Sequence, residues 1–263
     1  MGPAASTNAT TTWTRRVQRA RELAERHPAA AELLRFYAEV LGFQGRLAKE
    51  LTQRADPTVA LRAQIDVSPA VEQFADLLNI VSTLGPAPLA AAATQLHREG
   101  AAWWREMLQQ GDEDDELRRF FVLACLQPLA ERLQLQLPES VDQSVRVCPV
   151  CGSLPQLIML RPEGEGARRS LLCSLCLREW GFRRLLCPMC GELDKEKLPY
   201  YTDAGCKYVR VEACDSCHRY LKSVDLSLDG LAVPLVDEMA WAALDIWATN
   251  RGYAKIARNL AGI

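Results

Sequence analysis

The sequence predicts an α+β protein with an N-terminal irregular helical domain, two tandem four-cysteine metal modules and a C-terminal helix that packs back on the fold. Three observations predict it. Eight of the ten cysteines fall in four Cys-x-x-Cys pairs, at 148/151, 173/176, 187/190 and 214/217. Ahead of them, Ala, Leu, Glu, Arg and Gln dominate, with apolar residues recurring at three- and four-residue steps. Short β-type runs and turn residues concentrate between about Pro138 and Gly230.

The N-terminal stretch "MGPAASTNATTT" reads as a disordered tail over residues 1–12. It lacks the apolar centre of a secretory signal, and its formal match to an acylation pattern through Gly2 and Ser6 is too short to outweigh that reading. Residues 13–140 form the helical domain, expected as about five helices, with the stripe Leu33, Leu34, Tyr37, Val40, Leu41 as a core face. Breaks fall at His27-Pro28, Ala55–Pro57, Val67–Pro69, Gly85–Pro88 and Gly111–Glu116. Asp56 before Pro57 and Ser68 before Pro69 offer N-caps with Pro at the first helical position. The acidic run Asp112–Glu116 is read as a solvated loop and helix start. Cys125, within "FFVLACLQPLA", is expected to be buried in a helix, and Trp103 and Trp104 are expected mainly in the core.

The metal modules occupy residues 146–186 and 187–229. The first begins "CPVCG" and closes "CSLCLR"; the second begins "CPMCG" and closes "CDSCHR". The internal gaps, Cys151 to Cys173 and Cys190 to Cys214, are 22 and 24 positions, and the offset between units is 39 at the first pair and 41 at the second. Such a repeat implies a copied structural unit carrying its own site. In "C-P-x-C-G", Pro presets a tight turn and Gly accepts the positive φ that ends it, so two sulfurs sit on one side of a knuckle. Two facing knuckles close a tetrahedron of thiolates at about 2.3 Å around zinc or iron. The expected sets are Cys148, Cys151, Cys173 and Cys176, then Cys187, Cys190, Cys214 and Cys217. A cross-brace between units and a compact site from the adjacent middle pairs are the alternatives. Cys206 and His218 are read as ordinary turn residues, with an auxiliary or exchangeable ligand as the alternative. In the connector "LREWGFRRLL", Arg178, Glu179, Trp180, Arg183 and Arg184 are expected to touch the neighbouring module or a partner. Residues 230–263 read as the C-terminal helix.

Composition and motifs exclude several functions. At 263 residues with net charge −2 and a pI near 6.0, the chain has no global basic charge for nucleic acid. Its longest apolar stretch, "LLNIVSTLGPAPLAAAA", is broken by Gly85, Pro86 and Pro88, so no membrane insertion is expected. The sequence contains no Gly-rich phosphate loop and no recognisable nucleophile–base arrangement. A fully thiolated tetrahedral metal keeps no open position for substrate, so the expectation is a protein that is not an enzyme. Paired thiols without a secretory signal fit a reducing, cytoplasmic compartment.

The segments "CPVCGSLP", "LLCSLCLREWGFRRLLCPMCGE", "ACDSCHRYLKSVD" and "LDIWATNRGYAKIARNLAG" resemble the formate dehydrogenase accessory protein family, the FdhE proteins. The likeness runs closely from Arg146 to the C-terminus, and the helical half is compatible in length and character. The resemblance implies two tandem rubredoxin-like, zinc-ribbon-like modules. It further implies two metal ions, iron favoured and zinc the alternative, each bound by four of the eight paired cysteines. It also implies a cytoplasmic, non-enzymatic maturation factor, or chaperone, that binds the catalytic subunit of formate dehydrogenase before export. No motif carries over the partner-binding residues or the oligomeric state. Two other functions compete. One is a nucleic-acid-binding zinc ribbon, for which residues 146–222 offer thirteen Lys or Arg against nine Asp or Glu, a local excess of +4. The other is a rubredoxin-like one-electron carrier.

Overall fold

The computed structural model describes residues 4–110, 115–138 and 142–262. The first part is helical throughout: α1 (Ala4–Arg26), α2 (Ala31–Glu50), α3 (Leu61–Gln64), α4 (Ser68–Glu72), α5 (Phe74–Leu84), α6 (Ala87–Glu99), α7 (Ala101–Gln110) and α8 (Glu116–Gln134). Helix α1 therefore begins inside the stretch expected to be a disordered tail; residues 1–3 lie outside the described residues. The run from Ala4 to Thr12 holds no Gly or Pro, so a helix nucleated around Trp13 extends through it one hydrogen bond at a time. The region also has more helices than the five expected, because its Pro and Gly breaks leave short pieces. Asp56 does not cap a helix. Its carboxylate accepts from the Thr58 amide and hydroxyl in a turn, and α3 starts only at Leu61. Ser68 opens α4, and its amide donates to Asp66. Of the acidic run, Asp112–Asp114 lie outside the described residues, and Asp115 caps α8 by accepting from the amides of Leu117 and Arg118.

Helix α8 runs through the centre of this domain and is buried on nearly every side from Phe120 to Leu133, Cys125 included. Burial pushes the Cys125 thiol up. Pro128 in its middle has no N–H, which leaves the carbonyl of Ala124 without its helical partner. The Gln44 side chain, from α2, supplies the missing donor at 3.1 Å. Gln44→Leu should therefore strand a buried carbonyl and cost about 1–3 kcal/mol, readable as a lowered urea midpoint with an unchanged slope. Of the expected stripe on α2, Leu34, Tyr37, Val40 and Leu41 are buried in the same core, while Leu33 is only half-buried. Trp103 and Trp104 of α7 pack half-buried against the same core.

The second part is one mixed sheet of β1 (Pro155–Glu163), β2 (Gly166–Cys173), β3 (Glu179–Gly181), β4 (Tyr200–Asp203), β5 (Cys206–Cys214), β6 (Arg219–Asp225) and β7 (Ala254–Lys255). The spatial order is β3-β2-β1-β6-β5-β4, with β7 alongside β6. Each copied unit contributes three strands joined antiparallel. The first strand of unit one pairs in parallel with the last of unit two, Leu157 opposite Lys222 and Met159 opposite Val224. The two modules thus share one sheet. Strand β1 is buried on both faces: Ile158 and Leu160 join the helical core, while Leu157 and Met159 join a second core with Val209, Val211 and Val224.

The C-terminal helix is present as two short ones, α9 (Pro234–Ala240) and α10 (Ala242–Asn250), and the chain then continues through Gly252 at φ +83° into β7. Arg19 of α1 holds this region. Its guanidinium forks onto the buried carboxylate of Asp237 at 2.6–3.2 Å and reaches Asp229 at 3.2 Å.

Candidate metal centre

The four Cys-x-x-Cys segments are four turns built to one plan. In the first, the Gly152 amide donates to the Cys148 carbonyl and the Cys148 amide to the Ser153 carbonyl. In the third, Gly191 donates to Cys187 and Cys187 to Glu192. Each turn ends on a residue in the left-handed region: Gly152 at φ +74°, Leu177 at +55°, Gly191 at +84° and His218 at +53°. Two of the four positions thus use a side chain where glycine costs least. This accounts for His218 as a turn residue. Its ring lies 6.1 Å from that of Tyr253, outside either cysteine set.

The eight sulfurs gather into two sets in the sequential pairing. Cys148 lies 3.5 Å from Cys176 and Cys151 lies 3.3 Å from Cys173, sulfur to sulfur. In the second set, Cys187–Cys217 is 3.8 Å and Cys190–Cys214 is 3.7 Å. Within each set all four sulfurs lie within 4.8 Å of one another. The cross-brace and the compact middle site are thereby excluded as arrangements of this fold. A tetrahedron with bonds of about 2.3 Å has sulfur–sulfur edges of about 3.8 Å, so the second set matches a four-thiolate site and the first is slightly tighter. Amide N–H groups point at sulfurs in both sets: Leu175 and Cys176 at Cys173, Met189 and Cys190 at Cys187. They favour the thiolate.

Electrostatics within the sets point the same way. Hydrogen bonds from Cys148, Cys173 and Cys176 pull the Cys151 thiol far below the ordinary range. The same sharing with Cys148 and Cys151 pushes Cys176 up, and burial does so for Cys173. Four sulfurs this close compete for one negative charge; only a cation among them lets all four ionise. A soft divalent ion fits this donor set. The remaining two cysteines are elsewhere. Cys206 is buried in the second core, accepts from the Val209 amide at 3.3 Å, and has its thiol raised by burial.

The first set is built into the junction with the helical domain. The side chain of Gln127, from α8, donates to the Ser174 carbonyl inside the second turn at 2.8 Å. Cys148, Cys173, Leu175 and Cys176 belong to the helical core itself. Of the connector residues, Arg178 does not bridge the modules. It donates to the Gln134 side chain and to the carbonyls of Leu137 and Pro138, fastening the first module to the end of α8. Glu179 binds Arg161 and Ser170 within its own module, the Trp180 indole donates to the Val145 carbonyl, and Arg184 to that of Ala167. Arg183 offers its carbonyl to Arg169, and Arg169 is the bridge the sequence did not single out. Its guanidinium also pairs with Glu212 of the second module at 3.1 Å. Burial opposes the ionised form of Glu212, but Arg169 and Arg210 outweigh it and hold the carboxyl below its usual range.

No helix among the described residues is long and apolar enough to cross a membrane. Residues 147–184 match the model of the FdhE central domain, and residues 185–261 match that of the FdhE C-terminal domain. The "Protein FdhE homolog" of Aquifex aeolicus (strain VF5) is 31% identical over 265 residues, covering 91% of this chain and 92% of that one. That of Haemophilus influenzae (strain PittEE) is 27% identical over 262 residues, covering 93% and 86%. The crystal structure of the FdhE protein from Pseudomonas aeruginosa superposes with a TM-score of 0.70 at 30% identity, covering 96% of both chains. Sequence models for both cysteine modules, full-length relatives and a solved fold agree: the chain belongs to the FdhE family.

Proposed function

We propose that this protein is a non-enzymatic accessory factor that brings formate dehydrogenase to activity by binding its catalytic subunit in the cytoplasm before export. The observation that carries the reading is the pair of all-cysteine sets in a chain of the FdhE family. Four thiolates saturate a tetrahedral ion, so such a centre shapes and stiffens a surface rather than polarising a substrate. Its amide-to-sulfur bonds and the bracing of the first set by α8 favour the same role. Our reading puts iron in both sets, with zinc as the alternative; soft thiolate donors suit either. When bound, the ion neutralises the crowded thiolates and locks each pair of turns together.

Deleting the gene should abolish formate dehydrogenase activity while transcription of the enzyme persists, and a tagged chain should retain the immature catalytic subunit from a cytoplasmic extract. Normal activity in the deletion strain would sink the proposal. Anaerobic purification with metal analysis and an absorption spectrum decides the metal: two equivalents of iron with thiolate charge-transfer bands, or two of zinc.

A further inference from the structure

The two cysteine sets are copies in sequence but not in surroundings. In the first, Cys148, Cys173 and Cys176 are at most 2% exposed, and Cys151 is partly covered. All four sit in or against the core that α8 and α2 build, and Gln127 holds the second turn from behind. A groove of about 850 Å³ reaches Cys151 between α6, α8 and the C-terminal residues 255–262. The second set lies outside both apolar cores. Cys190 is exposed and Cys217 is half-buried, as Cys151 is in the first set, one from each of the two facing turns, while Cys187 and Cys214 are 2% exposed. Leu193 and Met189 beside them are exposed as well. What closes this set is polar and at the surface: Ser216 donates to Glu192 at 2.5 Å, joining one turn to the other.

We propose that the second set, Cys187, Cys190, Cys214 and Cys217, is the exchangeable metal centre of the protein, open to soft divalent cations from solution, while the first is held in the core of the helical domain. The inference rests on reading both sets as metal centres. Ligand exchange at a saturated tetrahedral ion starts with an incoming donor reaching the metal as one thiolate leaves. At the second set the two accessible cysteines belong to opposite turns, so a competing ligand reaches both halves of the tetrahedron by opening surface turns alone, since none of the four cysteines belongs to an apolar core. At the first set, only Cys151 meets solvent, and freeing its partners requires parting α8 from the sheet. Opening of that kind costs a sub-global unfolding free energy, whereas a surface turn opens for little.

The test uses the full chain loaded with two equivalents of zinc and a chromophoric chelator in excess. Zinc should leave in two phases of one equivalent each, the first at least about tenfold faster because it needs no sub-global opening. A pulse of N-ethylmaleimide between the phases, read by peptide mass spectrometry, should label Cys187, Cys190, Cys214 and Cys217 and spare the other four ligands. Cys190→Ser should remove the fast phase and leave the slow one and the far-ultraviolet spectrum unchanged. Release of both equivalents in one phase, or labelling of the first set, overturns the inference while leaving the metal reading intact. A chain that takes up no zinc and no iron overturns both.

Discussion

Cys176→Ser should remove one metal equivalent and unfold the junction between the helical domain and the sheet. Its sulfur is fully buried, 3.5 Å from that of Cys148, in a set whose neighbours are core residues of the helical domain. Loss of a thiolate there abolishes tetrahedral closure and leaves three crowded sulfurs that cannot all ionise. Structural zinc sites contribute on the order of 10–16 kcal/mol to folding, against a net stability of about 5–15 kcal/mol for a whole domain. A loss of even a third of the metal term, about 3–5 kcal/mol, therefore removes a large part of that margin. The change should lower the thermal midpoint by well over ten degrees, halve the metal content and expose the segment around residues 142–154 to protease. The matched Cys190→Ser protein should lose its metal equivalent yet keep most of its thermal stability. If the two variants melt together, the first set is not the joint described here.

How much of this was readable beforehand differs between the site and its surroundings. The eight cysteines, their sequential pairing and the strands "QLIML", "RRSLLC" and "KYVRVEAC" follow from local spacing and alternation, which a chain carries in its own order. The parallel join of β1 to β6 does not, because it pairs residues more than sixty positions apart and leaves no local pattern. The same holds for Arg169. An arginine in a strand normally signals the solvent face, and only the spatial arrival of Glu212 and the Arg183 carbonyl makes it an internal bridge. Gln44 and Gln127 were equally silent, since what each satisfies is a carbonyl on a distant element. Pro128 did carry a signal: a proline mid-helix always leaves a carbonyl in need of a donor. The connector residues stand out by charge and aromatic character, and Arg178 among them does reach another part of the fold, but it is the end of α8 rather than the second module.

Lys222 is likewise an internal partner that only the fold reveals. It interrupts the apolar run of β6 and is fully buried, where its ammonium meets the Asp245 carboxylate and donates to the Glu238 carbonyl oxygen at 2.5 Å. Lys255 of β7 lies 3.0 Å from the Glu238 carboxylate and 3.3 Å from that of Asp245. The Tyr220 hydroxyl donates to Asp245 at 2.8 Å and the Asn259 side chain to Glu238 at 3.0 Å. Two cations and two anions make the cluster neutral, and it fastens α9, α10 and the C-terminal segment to the second module. Lys222→Met leaves two buried carboxylates facing one ammonium, which should cost about 3–5 kcal/mol in urea unfolding. Removing Asp245 as well, as Lys222→Met/Asp245→Leu, restores the balance of charge and should cost less than the single change. A double variant weaker than the single would show that packing rather than charge decides. The cluster also sets a pH dependence. Burial opposes the charged form of Asp245, but Lys222 and Lys255 outweigh it and hold its carboxyl below the usual range. Its contribution is fully present above the unfolded value of about 4 and is lost as the pH falls from there through the folded value. Acid unfolding should therefore begin at higher pH in Lys222→Met, where one of the two cations that depress Asp245 is gone.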